Sequence, residues 1–426
     1  MFKFIKKHTW LLILIALCIL FPQSLSNQAK LNMKSIVTGL AIDRKANGFE
    51  VTAQVVMPNK GSESGGGETQ VIFITDSGKT VAEAVERIGF TLGKTAGLGH
   101  INFVLIGESM LENNVAGQLD YFMRDKKINN SVLVLACDGA AKDEIKKTAN
   151  LEASSAMGMQ KVFLYKQQET NAYVLPMLEL ANSVYSKSGV CLMSGLKIQS
   201  GEDEEENSGT SSGESGGGES AASSGTENSS SESSAGAGSG AKQNAKIKYL
   251  NKIYLLKKGK KVGVLESEDE IVGLLIPNRY SKDASMDIGQ IEFANQLAQD
   301  FNVKYYKKKS KMKLKFEDGK IIAVFDISLG DVKIRCLNSK EEPAIDYYNE
   351  DNDEFNEKIR QKTAEKITEL ITTCFNSGKS QNVDVFMIAD SAYLYNYKDY
   401  KKYIENNPNY IQNATVQVNV KIEKLT

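Results

Sequence analysis

Histidine is nearly missing from this chain. Its 426 residues include two, His8 and His100, and His8 falls in the N-terminal leader. A His-based metal site or a Ser-His-Asp arrangement would have to rest on His100 alone. The five cysteines, Cys18, Cys137, Cys191, Cys336 and Cys374, are scattered. No two have the close spacing of a CxxC metal or redox motif, so buried apolar thiols are the preferred reading. A charge excess is lacking as well. The formal net charge is −1, which gives no reason to expect a nucleic-acid partner. A phosphate-binding loop would follow a strand and open a helix, whereas Gly97-x-Gly99 follows a helical pattern and enters a strand, so it reads as a turn. The sequence thus offers no catalytic residue, no cofactor-binding residue and no metal ligand. The expectation is a protein that is not an enzyme and needs no cofactor.

One stretch lacks the means to fold. Gly201–Gly240 contains no aromatic residue, no Val, Ile, Leu or Met, and no Lys or Arg. Ordering a backbone costs about 1–2 kcal/mol per residue, and this composition has no apolar surface to offset that cost. Residues 200–242 are therefore expected to form a long disordered acidic Ser/Gly loop. Because the tract is purely acidic, the remainder of the chain is mildly basic. Asn59–Glu68 is a second, shorter Gly/Ser loop.

At the N-terminus Lys3, Lys6 and Lys7 precede the apolar run Trp10–Phe21, and Pro22 ends it. A charged region followed by a short apolar one is an export signal, and the run is shorter than the ~20 residues that span a bilayer comfortably. Residues 1–26 therefore read as a signal peptide or N-terminal membrane anchor. Three fates stay open. Ile15-Ala16-Leu17-Cys18 has the outline of a lipoprotein site, with Cys18 as the lipid anchor. Ser24-Leu25-Ser26 offers small residues for ordinary cleavage. The segment could also stay uncleaved.

Beyond the leader, apolar periodicity changes from strand to helix and back. Ser35–Ile42 and Phe49–Met57 read as a hairpin, and Val71–Thr75 as a third strand. Thr80-x-x-Glu83 is a capping box opening a helix to Leu92. Ile101–Ile106 is a strand, Glu108–Phe122 a helix, Val132–Ala136 a buried strand, and Asp143–Thr148 the start of a further helix. After the acidic tract come short strands at Ile253–Leu256 and Val262–Leu265, then a helix at Glu268–Leu275. Val303–Lys315 is strongly basic, but Met312, Leu314 and Phe316 alternate with Lys311, Lys313 and Lys315. That alternation is one buried and one solvated face of a strand rather than a nucleic-acid patch; anionic lipid headgroups are the partner such lysines suit better. Ile321–Ile327 is the next strand, Asp353–Phe375 a long helix, Val383–Ile388 a strand and Ala414–Ile422 the last. Tyr393–Tyr403 is tyrosine-rich and reads as partly buried packing.

These residues also carry a resemblance. Ile36-Val37-Thr38-Gly39-Leu40-Ala41-Ile42-Asp43, followed by Glu50-Val51-Thr52-Ala53-Gln54-Val55-Val56-x-Pro58, resembles the opening of the Ger(x)C family, the C subunits of bacterial spore germinant receptors. Gly78-Lys79-Thr80-Val81-x-Glu83-Ala84, Gly99-His100-x-x-x-Val104-Leu105-Ile106-Gly107-Glu108 and Leu119-Asp120-Tyr121-Phe122-x-Arg124 follow in the family's order. Past the tract, Val262-Gly263-Val264-Leu265 and Gly273-Leu274-Leu275 occupy family positions. Matching Leu31-Asn32 and Ile36-Val37 to the family's mature start puts Leu25 or Ser26 where its lipidated cysteine would stand; the nearest cysteine is Cys18.

The resemblance implies a multi-domain α+β fold, with mixed sheets, packed helices and a C-terminal antiparallel sheet carrying one long helix. Residues 32–135 would be an N-terminal α/β domain, 136–290 a middle α+β domain interrupted by the loop 200–242, and 300–426 a C-terminal α+β domain. In the family the stretches flanking the tract follow each other closely, so Leu192–Ile198 and Ile247–Leu256 should lie in one sheet. The function implied is that of a membrane-associated, extracytoplasmic receptor subunit at the spore inner membrane. Its partners would be the integral membrane subunits, transporter-like B-type and A-type, and the membrane surface, with no nucleic acid. The alternative is a cell-envelope surface protein that binds peptide or wall material and is unrelated to spores.

Overall fold

The structure is a computed structural model, and it describes residues 34–57, 70–125, 127–147, 173–199, 246–278, 283–291, 299–336 and 353–425. The leader with Cys18, the loop Asn59–Glu68 and the acidic tract lie outside the described residues. The fold is α+β, with mixed sheets and packed helices.

The first lobe is built on one mixed sheet. Its strands are β1 (Lys34–Lys45), β2 (Gly48–Met57), β3 (Gln70–Gly78), β4 (Thr95–Gly97), β5 (Phe103–Gly107), β6 (Leu133–Cys137), β7 (Leu175–Pro176), β8 (Val190–Gln199), β9 (Lys246–Lys257) and β10 (Lys260–Leu265). The spatial order is β10-β9-β8-β6-β5-β1-β2-β3, with β4 beside β1 and β7 beside β6. The inner pairs β1–β5, β5–β6 and β6–β8 are parallel. Parallel neighbours need crossovers that place helices on both faces, and the inner strands are accordingly apolar on both sides. Phe103, Val104, Leu105 and Ile106 are all fully buried. One face packs against α1 (Val81–Leu92), α2 (Glu108–Leu111) and α3 (Ala116–Arg124); the other meets α4 (Ala141–Lys147) through Ala141 and Ile145. The helix α5 (Met177–Val184) returns to the first face.

The strands that flank the acidic tract pair antiparallel. Leu192 faces Leu255 and Ile198 faces Ile247, the one-sheet arrangement their family counterparts suggested. The expected boundary at residues 135 and 136 falls inside β6, which bonds to β5 on one side and β8 on the other. Hydrogen bonding is continuous across it, because burying both faces of β6 requires neighbours from either half.

Two other expectations change. The helix expected over Glu108–Phe122 is two helices, α2 and α3, interrupted where Asn114 takes φ 69°. Thr80 does cap α1 by accepting from the Glu83 N–H, but the Glu83 carboxylate accepts from Lys79 N–H, one residue earlier than a capping box requires.

The second lobe begins with α6 (Glu268–Leu275), then β11 (Ala284–Ile291) and β12 (Gln299–Tyr306). These pair antiparallel, Met286 opposite Val303, so the limit expected between domains at 290 and 300 falls between two paired strands. β13 (Lys309–Glu317) and β14 (Lys320–Leu329) form a hairpin, and β15 (Asp331–Cys336) joins β12. The helix α7 (Asp353–Ser380) crosses this lobe, burying Phe355, Ile359, Ile367, Leu370 and Ile371. β16 (Ala414–Ile422) then lies parallel to β14, because the long helix makes its return a crossover. The C-terminal sheet is thus antiparallel between β13 and β14 and gains one parallel strand.

The strand expected at Val383–Ile388 is instead a turn entering α8 (Ile388–Tyr395), followed by α9 (Tyr397–Tyr403). Asp384 is buried and its carboxylate accepts from the N–H groups of Ile388 and Ala389 and from the Tyr410 hydroxyl, at 2.9, 2.9 and 2.7 Å. A carboxylate that satisfies the first N–H groups of a helix fixes the helix start, and Met387, at φ 56°, supplies the bend.

Candidate functional site

Sequence reasoning nominated few site residues. Cys18 lies outside the described residues. His100 is exposed at the end of a single 3-10 turn, Leu98–His100. Cys137, Cys191 and Cys374 are buried free thiols, and burial pushes the Cys191 thiol up to about 12. Among the described residues no group of three or more His, Cys, Asp or Glu side chains is placed to hold a metal. No helix among them is long and apolar enough to cross a membrane.

Open sheets with parallel strands bind ligands at the carboxyl ends of those strands. Here that edge carries Asp43 from β1, Glu108 after β5 and Asp138 after β6. Each is engaged in joining elements of the lobe. Asp43 accepts from the N–H groups of Ala141 and Lys142 at 2.8 and 2.9 Å, capping α4. Burial raises its carboxyl above the usual carboxylate range in spite of those bonds. Gly107 makes room for it, since a Cβ there would lie 2.0 Å from Asp43 Oδ1. Glu108 pairs with Lys261 of β10 at 2.9 Å, and that lysine holds the Glu108 carboxyl below its usual range. Asp138 accepts from the Tyr254 hydroxyl of β9 and pairs with Lys252 at 3.0 Å. The last two strands therefore close the edge by ion pairs.

The lobes meet at a cleft of about 490 Å³. The first lobe lines it with Glu179, Asn182, Ser183 and Ser186, on and just after α5, beside Tyr173, Leu175 and Leu192. The opposite wall is apolar: Met312, Phe325, Phe386 and Met387. Such a cleft suits recognition of an amphipathic group, and the carboxylate, amide and hydroxyls supply direction.

The contacts around the cleft fix the two lobes together. Asp390 of α8 accepts from Lys187 N–H at 2.7 Å and from the Ser186 and Ser188 hydroxyls at 3.2 and 2.5 Å. Gln381 donates to Val264 O and accepts from Val264 N–H, both at 3.0 Å, like an added strand residue beside β10. Lys308 donates to Leu275 O and Asn278 O at 3.1 and 2.7 Å, at the C-terminal end of α6, where helix carbonyls lack partners. Its burial lowers the amine to about 7. Sequence reasoning missed Asp384, Asp390 and Gln381, because each is a lone polar residue whose partners lie far away in the chain or in a turn.

Fold and site together define a two-lobed α+β protein whose buried charges and amides lock its own elements and lobes. The comparisons with known proteins agree with that class. A family model described as the spore germination protein N-terminal domain matches residues 27–198, and one described as the spore germination B3/GerAC-like C-terminal domain matches residues 251–423. The chain belongs to the Ger(x)C family of spore germination proteins. It is 27% identical over 180 residues to spore germination protein B3 of Bacillus subtilis (strain 168), covering 41% of this chain and 48% of that protein. The chain thus aligns with about half the length of this relative. The crystal structure of the GerBC protein aligns over 91% of this chain and 97% of its own, with 15% identity and a TM-score of 0.45.

Proposed function

We propose that this chain is a non-enzymatic, extracytoplasmic subunit of a nutrient germinant receptor, held at the spore inner membrane. Its partners on this reading are the integral membrane subunits, transporter-like B-type and A-type. The observation that carries the proposal is that both family halves occur in one chain, in order, and are separated by the acidic tract. Two features support it. The N-terminal leader is built for export, and the charged and amide groups at the strand ends and lobe junctions serve assembly of the fold rather than a reaction. A two-lobed body with an amphipathic cleft is suited to holding partner segments.

Affinity purification of the tagged full chain from spore membranes tests this. The account expects the multi-pass subunits to come with it in a fixed ratio. Recovery of the chain alone, or with wall enzymes only, would contradict the proposal and favour an envelope protein unrelated to spores.

A further inference from the structure

The exposed large apolar side chains are unevenly distributed. Phe90 is 74% exposed, Tyr185 67%, Leu394 67% and Tyr395 80%. Ordinary monomer surfaces scatter such residues singly. Here they follow a connected path. Phe90 lines a groove of about 640 Å³ between α1 and the C-terminal end of α3, together with Thr95, Tyr121 and Lys127. α3 packs against α5, and Tyr185 is the residue that ends α5. Two residues on, the Lys187 ammonium sits 4.4 Å over the Tyr393 ring, and Tyr393 packs edge-on against Tyr397. Leu394 and Tyr395 project from the same short helix, α8. Ile36, Leu178 and Val262, at 41, 40 and 44% exposure, are not among the residues joined in this path, and Val262 stands on the edge strand β10.

Two observations say what covers the strip. The first is where the undescribed chain joins. Lys34 pairs with Thr95, which lines the groove, so residues 1–33 enter the fold at this end of the strip. Between the apolar run ending at Phe21 and Lys34 there are only enough residues to reach roughly 40 Å when extended. The second is charge. In the groove Lys94 and Lys127 are matched by Glu86 and Asp125, so the positive excess lies at the α8–α9 corner, where Lys187, Lys398, Lys401 and Lys402 are exposed around Asp399. Lysine is depleted in the cores of protein–protein interfaces. Tyrosine with lysine is instead the pairing of a membrane boundary, with the ring at headgroup level and the ammonium on anionic phosphate.

We infer that the strip from Phe90 through Tyr185 to Tyr395 is the face that lies on an anionic phospholipid surface. The inference rests on the membrane association proposed above and adds an orientation to it. The first lobe's groove and the α8–α9 corner of the second lobe would touch the bilayer together, leaving β10 directed away from it.

Tryptophan fluorescence in the full chain tests this. With the native tryptophan removed by Trp10→Phe, single reporters are introduced by Phe90→Trp, Tyr395→Trp or Val262→Trp. Each protein is mixed with vesicles of phosphatidylcholine and phosphatidylglycerol carrying brominated acyl chains. Quenching of at least twofold is expected for the reporters at 90 and 395, with none for the reporter at 262, and weaker quenching on vesicles of phosphatidylcholine alone. In the Tyr395→Trp protein, Lys398→Gln, Lys401→Gln and Lys402→Gln together should weaken α8 contact with the anionic vesicles on the order of a hundredfold. If the protein sediments with the vesicles but positions 90 and 395 stay unquenched, or all three positions quench alike, the inference is overturned while membrane association stands. Unquenched reporters that crosslink to a membrane subunit would make the strip a protein interface and also overturn it. If the full chain sediments with neither vesicle, both the inference and membrane association fall.

Discussion

A single methyl group placed at Gly273 tests how closely α6 packs against α7. Gly273 lies in α6, where that helix crosses α7. A Cβ there would sit 2.0 Å from Leu370 O, 2.6 Å from Leu370 C and 3.0 Å from Cys374 Cβ. Two of those three atoms are backbone and cannot swing aside, so the helices would have to separate by roughly 1 Å. Such a gap forfeits a quarter to a half of each dispersion contact it opens, and the affected residues, Ile271, Leu274, Leu370, Ile371 and Cys374, are buried. Overpacking of this kind costs about 1–3 kcal/mol. Alanine's better helix propensity returns up to about 1 kcal/mol, so the clash wins. Gly273→Ala should lower stability by about 1–2 kcal/mol. Gly117 in α3 is the control. It is exposed, and a Cβ there meets nothing within 4 Å, so Gly117→Ala should raise stability by about 0.5–1 kcal/mol. Urea unfolding of the full chain, followed by circular dichroism, reads both. A Gly273→Ala protein as stable as the parent, or more so, would refute the close helix crossing.

Three further outcomes follow from the polar groups. Asp384→Ala removes the acceptor for two N–H groups and the Tyr410 hydroxyl, and should cost about 2–4 kcal/mol; an unchanged melting temperature would count against the cap. The pairing with Lys261 depresses the Glu108 carboxyl below its reference value of 4.5, so its contribution is present above that pH and lost as pH falls through the lower folded value. Glu108→Gln should therefore be less stable than the parent at neutral pH, by under about 1 kcal/mol for so exposed a pair, and the two urea midpoints should converge below pH 4.5. Midpoints that stay equally far apart in acid would disprove this. Burial lowers the Lys308 amine from 10.5 to about 7, so between those values the unfolded chain holds a proton that the folded one lacks. The parent should gain stability across that window relative to Lys308→Met, and parallel pH profiles would show that the amine is not buried as described.

Much of the fold could be read from residue patterns. The alternation in Ala414–Ile422 matches β16 residue for residue, and the Lys/apolar alternation of Lys311–Phe316 matches the two faces of β13. Both are strands with one solvated face, where a period of two is visible. Boundaries between domains were less legible. β6 and β11 complete sheets whose other strands lie on the far side of the expected limits, and pairing partners leave no local mark. The segment Val383–Ile388 misled because Val383 and Val385 are buried two residues apart, as in a strand, while Asp384 and the left-handed Met387 turn it into a helix start. The family motifs gain physical content: Gly107 clears space for Asp43, and Gly273 for α7. The cleft was invisible beforehand, since its two walls come from α5 and from β13, β14 and the Val385–Met387 turn.

The most direct measurement is nutrient-triggered germination of spores lacking the gene, followed by loss of refractility and restored by the parent sequence. The account predicts that germination fails or slows for at least one nutrient and that the complementing copy restores it. Normal germination with every nutrient tested, in a strain with no duplicate of the gene, would contradict it.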